Sequence, residues 1–243
     1  MTEEFTDRTV LVTGANGGLG TEFVRQALER GARRVYAAAR SPRTWDDERV
    51  VPIALDVTDP SSIAAAVATA SDVDLLVNNA GIAPEADASL VSVADDTLEH
   101  VFATNTFGVI RVSAAFAPVL AANGGGAVLN VLSLAAWIPL PTVYAASKAA
   151  ALAATNGLRT ELAGQGTAVT GLIVGMIETA MGARFDVPKS TPEHVVTQAY
   201  DGVAAGAWEV LADDDSRFVK GLLSAPAEDL AAATRAAMEA VVD

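Results

Sequence analysis

Cysteine is absent from the 243 residues, and basic side chains are scarce. Without cysteine the chain can form no disulfide, no thiolate metal site and no cysteine nucleophile. Lysine and arginine number 16 against 30 aspartates and glutamates, which leaves a net charge of -14. A surface of this sign repels phosphate backbones. We therefore expect no nucleic-acid partner.

Histidine is nearly absent too, with two residues in the whole chain. Short acidic clusters occur at 46–48 and 213–215. Neither is accompanied by histidine or another ligand-rich segment at a suitable spacing, so we interpret both as solvated loops and expect no metal site.

Signals for export and for membrane insertion are also missing. The opening residues, MTEEFTDRTV, are acidic and polar, with no apolar stretch behind a basic start. We expect a cytoplasmic protein. Residues 112–147 carry no charge, but Pro118, the NGGG turn at 123–126, Pro139 and Pro141 divide them into pieces too short to cross a bilayer. This segment is interpreted as buried core, and no membrane partner is expected.

Short apolar runs alternate with longer amphipathic segments along the chain. Strands are predicted at 9–13, 34–38, 50–55, 74–78, 126–133, 168–174 and 208–212. Helices are predicted near 18–30, 60–69, 95–121, 142–163 and 192–205, with one or two more between 215 and 241. This order is typical of an α/β fold with a doubly wound parallel sheet of about seven strands, flanked by helices on both faces. No linker or repeat divides it, so residues 1–243 are predicted to form one domain.

The first predicted strand runs into a glycine-rich turn, TGANGGLG at 13–20, which a helix follows. Gly14, Gly18 and Gly20 would permit the turn, bring the backbone close to a pyrophosphate and let the helix pack tightly on the strand. The pattern predicts a dinucleotide site; the alternative is a glycine-rich loop that binds nothing.

The end of the second strand indicates which dinucleotide is bound. An NAD-binding domain often has an acidic residue here for the ribose 2′-hydroxyl, whereas this chain has Ala38, Ala39 and Arg40. A guanidinium can pair with a 2′-phosphate, which favours NADP over NAD, with Arg43 as a possible second contact. Alternatively, Arg40 simply points into solvent.

Polar residues gather where the predicted strands end. Asn78 and Asn79 follow an apolar strand, Asn105 interrupts an apolar helix, and Ser133 closes the fifth strand. In open α/β sheets ligands sit at this carboxyl edge. Each residue alone is more typical of a satisfied core group; together they favour a site.

Tyr144 and Lys148 lie one helical turn apart in YAASK, so their side chains share a helix face. An ammonium nearby stabilises a phenolate and would lower the pKa of the tyrosine. Ser133 could then hold a substrate oxygen while Tyr144 gives it a proton.

These motifs, in this order, resemble the short-chain dehydrogenase/reductase family across essentially the whole chain. The resemblance implies an NAD(P)-dependent alcohol dehydrogenase or carbonyl reductase. It assigns proton transfer to Tyr144, cofactor ribose binding and tuning of the tyrosine to Lys148, substrate orientation to Ser133, and a water-linked relay to Asn105. The implied cofactor contacts are Gly14, Asn16, Gly18, Leu19, Gly20, Arg40, Asp56, Val57, Asn79, Ala80, Gly81, Tyr144, Lys148, Gly175, Ile177 and Thr179.

The chain departs from the family pattern in two places. Val174 stands where the family usually has a proline before Gly175, and the spacing from Ser133 to Tyr144 is shorter than usual. The second departure should reshape the substrate pocket more than the proton chemistry. We predict that Ser133, Trp137, Tyr144, Met176 and Met181 line this pocket, with a lid near 176–195.

The leading hypothesis is an NADP-dependent oxidoreductase for a hydrophobic carbonyl compound or secondary alcohol, since most predicted pocket residues are apolar. Several of them could instead pack against the lid or a neighbouring subunit. The alternative from another class is an NADP-binding sensor without turnover. Hydrolysis has little support, because the chain has no G-x-S-x-G motif, and His100 and His194 fall on predicted surface helices. The alanines of the 142–163 helix, together with the resemblance, predict a homodimer or homotetramer.

Overall fold

The computed structural model describes residues 5–84 and 89–239. The strands are β1 (Thr9–Thr13), β2 (Arg34–Ala39), β3 (Val50–Ala54), β4 (Leu75–Asn78), β5 (Ala127–Val131), β6 (Ala168–Ile173) and β7 (Glu209–Leu211). The helices are α1 (Gly18–Glu29), α2 (Pro60–Thr69), α3 (Asp95–Phe102), α4 (Val109–Ala122), α5 (Val143–Leu162), α6 (Pro192–Ala204), α7 (Asp214–Leu222) and α8 (Ala227–Glu239).

All seven strands are parallel and lie in the order β3-β2-β1-β4-β5-β6-β7. The predicted doubly wound α/β sheet is therefore confirmed. The chain reverses its winding direction between β1 and β4, and in sheets of this kind ligands bind at the carboxyl ends of the strands on either side of that reversal.

Alternate residues of each strand face opposite helix layers, because side chains in a strand have a period of two. Val10, Val12 and Val77 pack with α1 and α6, whereas Leu11 and Leu76 pack with α2, α4 and α5. Since both faces are covered, nearly every strand position is apolar.

Predicted capping residues begin two of the helices. The Asp59 carboxylate accepts a hydrogen bond from the Ser61 amide before α2, and the Thr191 hydroxyl accepts one from the His194 amide before α6. Each is followed by a proline suited to the first turn of a helix.

The predicted helix over 95–121 differs from the structure in its middle. A π-helical segment, Ala103–Gly108, joins α3 to α4 and adds one residue to a turn. Side-chain contacts made by Asn105 within it supply the physical reason, as described below. At the other end of the chain the predicted tail helices are present as α7 and α8, and residues 240 and 241 lie outside the described residues.

One run of helix, Asp95–Ala122, is long and apolar enough to span a membrane by length and composition. Its residues Val112, Phe116 and Leu120 are fully buried against the sheet and α2. They belong to the core of the folded domain, in agreement with the interpretation of the uncharged stretch.

Candidate active site

The glycine turn after β1 is closely packed. Gly14 has a φ of +66°, and a β carbon on Gly20 would lie 2.1 Å from the Gly14 carbonyl oxygen. Only glycine allows this approach of helix α1 to the turn. The residue before α1 is Gly17, so no capping side chain accepts from the amides of the first helical turn. These amides and the positive end of the helix suit a phosphate.

Thr13 and Asn79 tie this turn to the end of β4. The Asn79 side-chain amide donates to the carbonyl oxygens of Thr13 at 2.8 Å and Gly14 at 3.2 Å. The Thr13 hydroxyl accepts from the backbone amides of Asn79 and Ala80, both at 3.0 Å. Thr13 was not among the predicted site residues, although its position directly before the first glycine was a usable signal. Asn79 thus holds the backbone that would form the cofactor groove.

Arg40 and Asp56 lie near each other at the far end of the groove. Two hydrogen bonds from Thr58 to the Asp56 carboxylate lower the pKa of Asp56, and the positive charge of Arg40 lowers it further. Arg40 is exposed, and Val57 is buried below it in the core. The guanidinium is therefore accessible to an anion from solvent.

Two other predicted contacts extend this end of the groove. The Arg43 guanidinium stacks 4.1 Å from the centre of the Trp45 ring and donates to the Thr21 hydroxyl. Asn16 is exposed and donates from its side chain to the Ser41 carbonyl oxygen at 2.7 Å. Leu19 is buried in the core beneath the turn.

Ser133, Tyr144 and Lys148 come together at the ends of β5 and α5. The Ser133 hydroxyl accepts from the Ala135 amide at 3.1 Å and lies close to the Tyr144 hydroxyl. The Lys148 ammonium lies 5.8 Å from the centre of the Tyr144 ring. The half-buried Tyr144 therefore has one polar partner at its hydroxyl and one cation nearby.

The pKa of Tyr144 differs from the sequence-based expectation. Burial raises its pKa above the usual 10, while the nearby Ser133 hydroxyl opposes part of that rise. Burial also lowers the pKa of Lys148 to about 8. A lysine that is itself desolvated is partly neutral near that pH and stabilises a phenolate less than an ordinary lysine would.

Asn105 occupies the π-helical segment between α3 and α4. Its side chain accepts from the Ile82 amide and donates to the Ile82 carbonyl oxygen, each at 2.9 Å, and donates to the Ser147 hydroxyl at 3.0 Å. Ser147 in turn donates to the Tyr144 carbonyl oxygen at 2.7 Å. Asn105 thus links the segment after β4 to the helix that carries Tyr144. Sequence reasoning did not single out Ser147, which stands between Ala146 and Lys148 in the YAASK motif.

Gly81 lies where Asn105 and Lys148 approach each other. A β carbon on Gly81 would lie 3.4 Å from the Asn105 side-chain oxygen and 3.6 Å from the Lys148 nitrogen. Ala80, beside it, packs against the core on the α2 and α4 side. A small residue at 81 keeps the space between the two polar groups open.

The segment after β6 approaches the glycine turn. Ile177 forms an isolated bridge with Ser190, which closes the base of the segment predicted to be a lid. A β carbon on Gly18 would lie 2.7 Å from the Thr179 methyl carbon. Helix α6 begins at Pro192, so the irregular part of the predicted lid ends at 191.

The predicted pocket residues are distributed unevenly. Met176 and Met181 are exposed on the segment after β6. The Trp137 ring packs with Leu132, Ala151 and Ile173 and lies 4.9 Å below the Lys220 ammonium. This packing is against the core and α7, whereas the alternative considered for the pocket residues was packing against the lid or a neighbouring subunit; the role of Trp137 toward substrate stays a prediction.

The groove fits a dinucleotide by its own geometry. The glycine turn provides backbone amides for phosphates, Arg40 provides a cation at one end, and Lys148 and Tyr144 lie at the other. Within residues 5–84 and 89–239, no group of three or more metal-ligating side chains occurs.

Known proteins share this sequence and architecture. The short chain dehydrogenase family matches residues 8–189. The 2-(R)-hydroxypropyl-CoM dehydrogenase of Xanthobacter autotrophicus is 30% identical over 88% of this chain and 94% of its own. A short chain dehydrogenase from Burkholderia cenocepacia in complex with NADP is 34% identical, with a TM-score of 0.87 over 96% of this chain and 98% of its own.

An NADPH-bound carbonyl reductase from chicken fatty liver is also similar, with 27% identity and a TM-score of 0.76 over 86% of this chain and 100% of its own. The family match covers most of the chain, and the relatives span nearly all of it. The chain is therefore an oxidoreductase of the short-chain dehydrogenase/reductase family.

Proposed function

We propose that the protein is an NADP-dependent reductase of a hydrophobic carbonyl compound, with Tyr144 as the general acid. The observation that carries the proposal is the joint position of Ser133 and Tyr144, whose hydroxyl groups lie close together at the carboxyl edge of the sheet. A carbonyl oxygen placed between them would accept a hydrogen bond from Ser133 and a proton from Tyr144.

Tyr144 is available as an acid at neutral pH, because an ordinary phenol has a pKa near 10 and burial raises it further. The reductive direction is proposed from the preference for NADP. Ser133 orients the carbonyl oxygen toward Tyr144 and stabilises the negative charge that develops there. The cofactor, when bound, supplies the hydride. Asn105 and Ser147 hold the backbone of α5 at Tyr144, which keeps the phenol in position.

Support for NADP comes from Arg40, which lies exposed next to Asp56 at the end of β2. A guanidinium that is exposed to solvent would suit a 2′-phosphate. The similar proteins described as bound to NADP or NADPH agree with this proposal.

Exposed Met176 and Met181 favour an apolar substrate, because thioether side chains adapt to apolar surfaces of varied shape. Both belong to the segment that begins beside Ser133, since the Leu134 amide donates to the Val174 carbonyl oxygen at 2.9 Å. Substrate selection is therefore proposed to depend on this segment.

The test measures the loss of NADPH absorbance with each compound of a panel of aliphatic, aromatic and polar carbonyl compounds. Tyr144→Phe should lower kcat at least about 100-fold, the usual minimum for a general acid, with the NADP dissociation constant within a few fold of the original. Tyr36→Phe removes a phenol hydroxyl that bonds to Asp72 far from the site and should leave kcat unchanged.

Turnover by Tyr144→Phe at the original rate would refute the assigned acid. Tight NADP binding without turnover of any carbonyl or alcohol would favour the sensor.

We also propose a homodimer or homotetramer in the cytoplasm; Ala149 is exposed on α5, as a helix contact requires. Light scattering that gives a monomer at micromolar concentration would refute the assembly.

A further inference from the structure

The peptide bond between Val174 and Gly175 is held from both sides. Its carbonyl oxygen, on Val174, accepts from the Leu134 amide at 2.9 Å. Its N–H, on Gly175, donates to one carboxylate oxygen of Asp213 at 2.6 Å. The orientation of this peptide plane is therefore set by two partners from distant parts of the chain.

The two carboxylate oxygens of Asp213 accept hydrogen bonds from different parts of the chain. The other oxygen accepts from the Ser216 amide at 2.7 Å and caps the N-terminus of α7. Capping needs only one oxygen, which a serine could supply. The oxygen that reaches Gly175 is not needed for the helix, and hydrogen bonds to a charged carboxylate are stronger than neutral ones.

The Val174–Gly175 peptide lies between the neighbourhood of Ser133 and the 176–190 segment. Leu134, which bonds to one side of it, directly follows Ser133, and the 176–190 segment leaves the sheet just after it. Val174 is buried, whereas Gly175 is the residue type with the greatest backbone freedom. Without a restraint at Gly175, the direction in which the segment leaves the sheet would be poorly defined.

Gly175 also packs closely against the acidic residues. A β carbon there would lie 3.3 Å from the Asp213 oxygen and 3.7 Å from an Asp215 oxygen. The short approach of the Asp213 carboxylate to the peptide thus depends on glycine at 175.

We propose that Asp213 is a positioning residue for the active site. Its carboxylate fixes the Val174–Gly175 peptide, so that Ile177 and Thr179 meet the cofactor groove next to Ser133. This inference rests on the proposed function, in which the 176–190 segment contacts NADP and substrate. Asp213 itself touches neither.

The experiment compares Asp213→Ser with Asp214→Ser. Serine at 213 keeps an oxygen for the helix cap but is too short to bond Ser216 and Gly175 together. Asp214 is an exposed neighbour with the same charge, and it pairs with Arg217 at the surface. Asp213→Asn, which retains one acceptor oxygen, is the second and more conservative variant.

Five quantities are measured in each variant: hydrogen exchange at the Gly175 amide, the NADP dissociation constant, KM and kcat with NADPH, and Tm. Asp213→Ser should speed Gly175 exchange and raise both the dissociation constant and KM about tenfold, which corresponds to about 1.4 kcal/mol. Tm should fall by no more than about 4 °C. Asp214→Ser should match the original protein in exchange and in cofactor binding.

Faster Gly175 exchange with unchanged NADP binding and KM would overturn the inference, since Asp213 would then serve structure alone. So would a failure of both Asp213 variants to fold. If the original protein neither binds nor uses NADP, the proposed function fails, but exchange still tests the restraint at Gly175. Unchanged exchange in Asp213→Ser would refute that restraint.

Discussion

Lys148 places its ammonium group 3.0 Å from the carbonyl oxygen of Val131, at the end of β5. The side chain is buried, and burial lowers its pKa from 10.5 to about 8. The unfolded chain therefore binds more protons than the folded one between about pH 8 and 10.5, so this group makes stability rise with pH across that range. Below about pH 8 the buried charge costs the most.

Replacement of Lys148 by methionine should stabilise the fold at pH 7 by on the order of 1–2 kcal/mol, because the desolvation cost exceeds the lost hydrogen bond. The gain should shrink toward zero near pH 10. Urea unfolding at several pH values measures it, and Lys220→Met, at an exposed lysine on α7, should show no such trend. A gain that does not change with pH would contradict the prediction.

The contact between Gly20 and Gly14 predicts the effect of one methyl group. In Gly20→Ala the new carbon would lie 2.1 Å from the Gly14 carbonyl oxygen, so the turn must shift and NADP binding should weaken at least about tenfold. Gly221→Ala, on α7 and outside the glycine turn, is the matched control, since a β carbon there meets nothing within 4 Å. Calorimetric titration with NADP distinguishes them; equal binding by both variants would refute the role of close packing.

Arg40 predicts the cofactor preference. Arg40→Ala should raise KM for NADPH about tenfold or more and leave KM for NADH nearly unchanged, because only NADPH carries the 2′-phosphate. The ratio of kcat/KM for the two cofactors is the measurement. Arg49→Ala removes an exposed arginine that pairs with Asp47 and should not change this ratio. An original protein that uses both cofactors equally would contradict the prediction.

A series of buried side-chain hydrogen bonds predicts how much unfolding free energy is lost when a single hydroxyl group is removed. The Asn130 side chain donates to the Thr155 hydroxyl at 3.0 Å and accepts from the Asn78 side chain at 2.9 Å, which joins α5 to β4 and β5. Thr155→Val leaves the Asn130 amide unpaired in the core and should cost about 1–3 kcal/mol of unfolding free energy.

Thr155→Ser keeps the hydroxyl and should lose less, about 1 kcal/mol, for the missing methyl group. Urea unfolding of both variants provides the comparison. A valine variant that is as stable as the serine variant would show that the hydrogen bond contributes nothing net.

Much of the fold was predictable because its signals are local. Alternating apolar runs predicted all seven strands to within two residues at each end, and Asp59 and Thr191 marked helix starts through their side chains and the prolines after them. The π-helical segment was not predicted. Its signal, an asparagine within an apolar helix, is also typical of an ordinary buried amide.

The candidate site was predictable as a set of residues, though not as a network. Ser133, Tyr144 and Lys148 were identified from residue type and spacing, and the structure brings them together. Ser147 was not singled out, and Asp213 was wrongly interpreted as part of a solvated loop, whereas it caps α7. Their significance lies in contacts with Asn105 and Gly175, which are 42 and 38 residues away in the chain.

The sequence by itself determined the order of strands and helices, the glycine turn and the chemical groups available at the sheet edge. These follow from side-chain periodicity and from the conformational limits of glycine and proline, which act over a few residues. Only the tertiary structure decided how those groups behave. The raised pKa of Tyr144, the lowered pKa of Lys148 and the restraint of Gly175 by Asp213 depend on burial and on partners distant in sequence, which exist once the sheet has assembled.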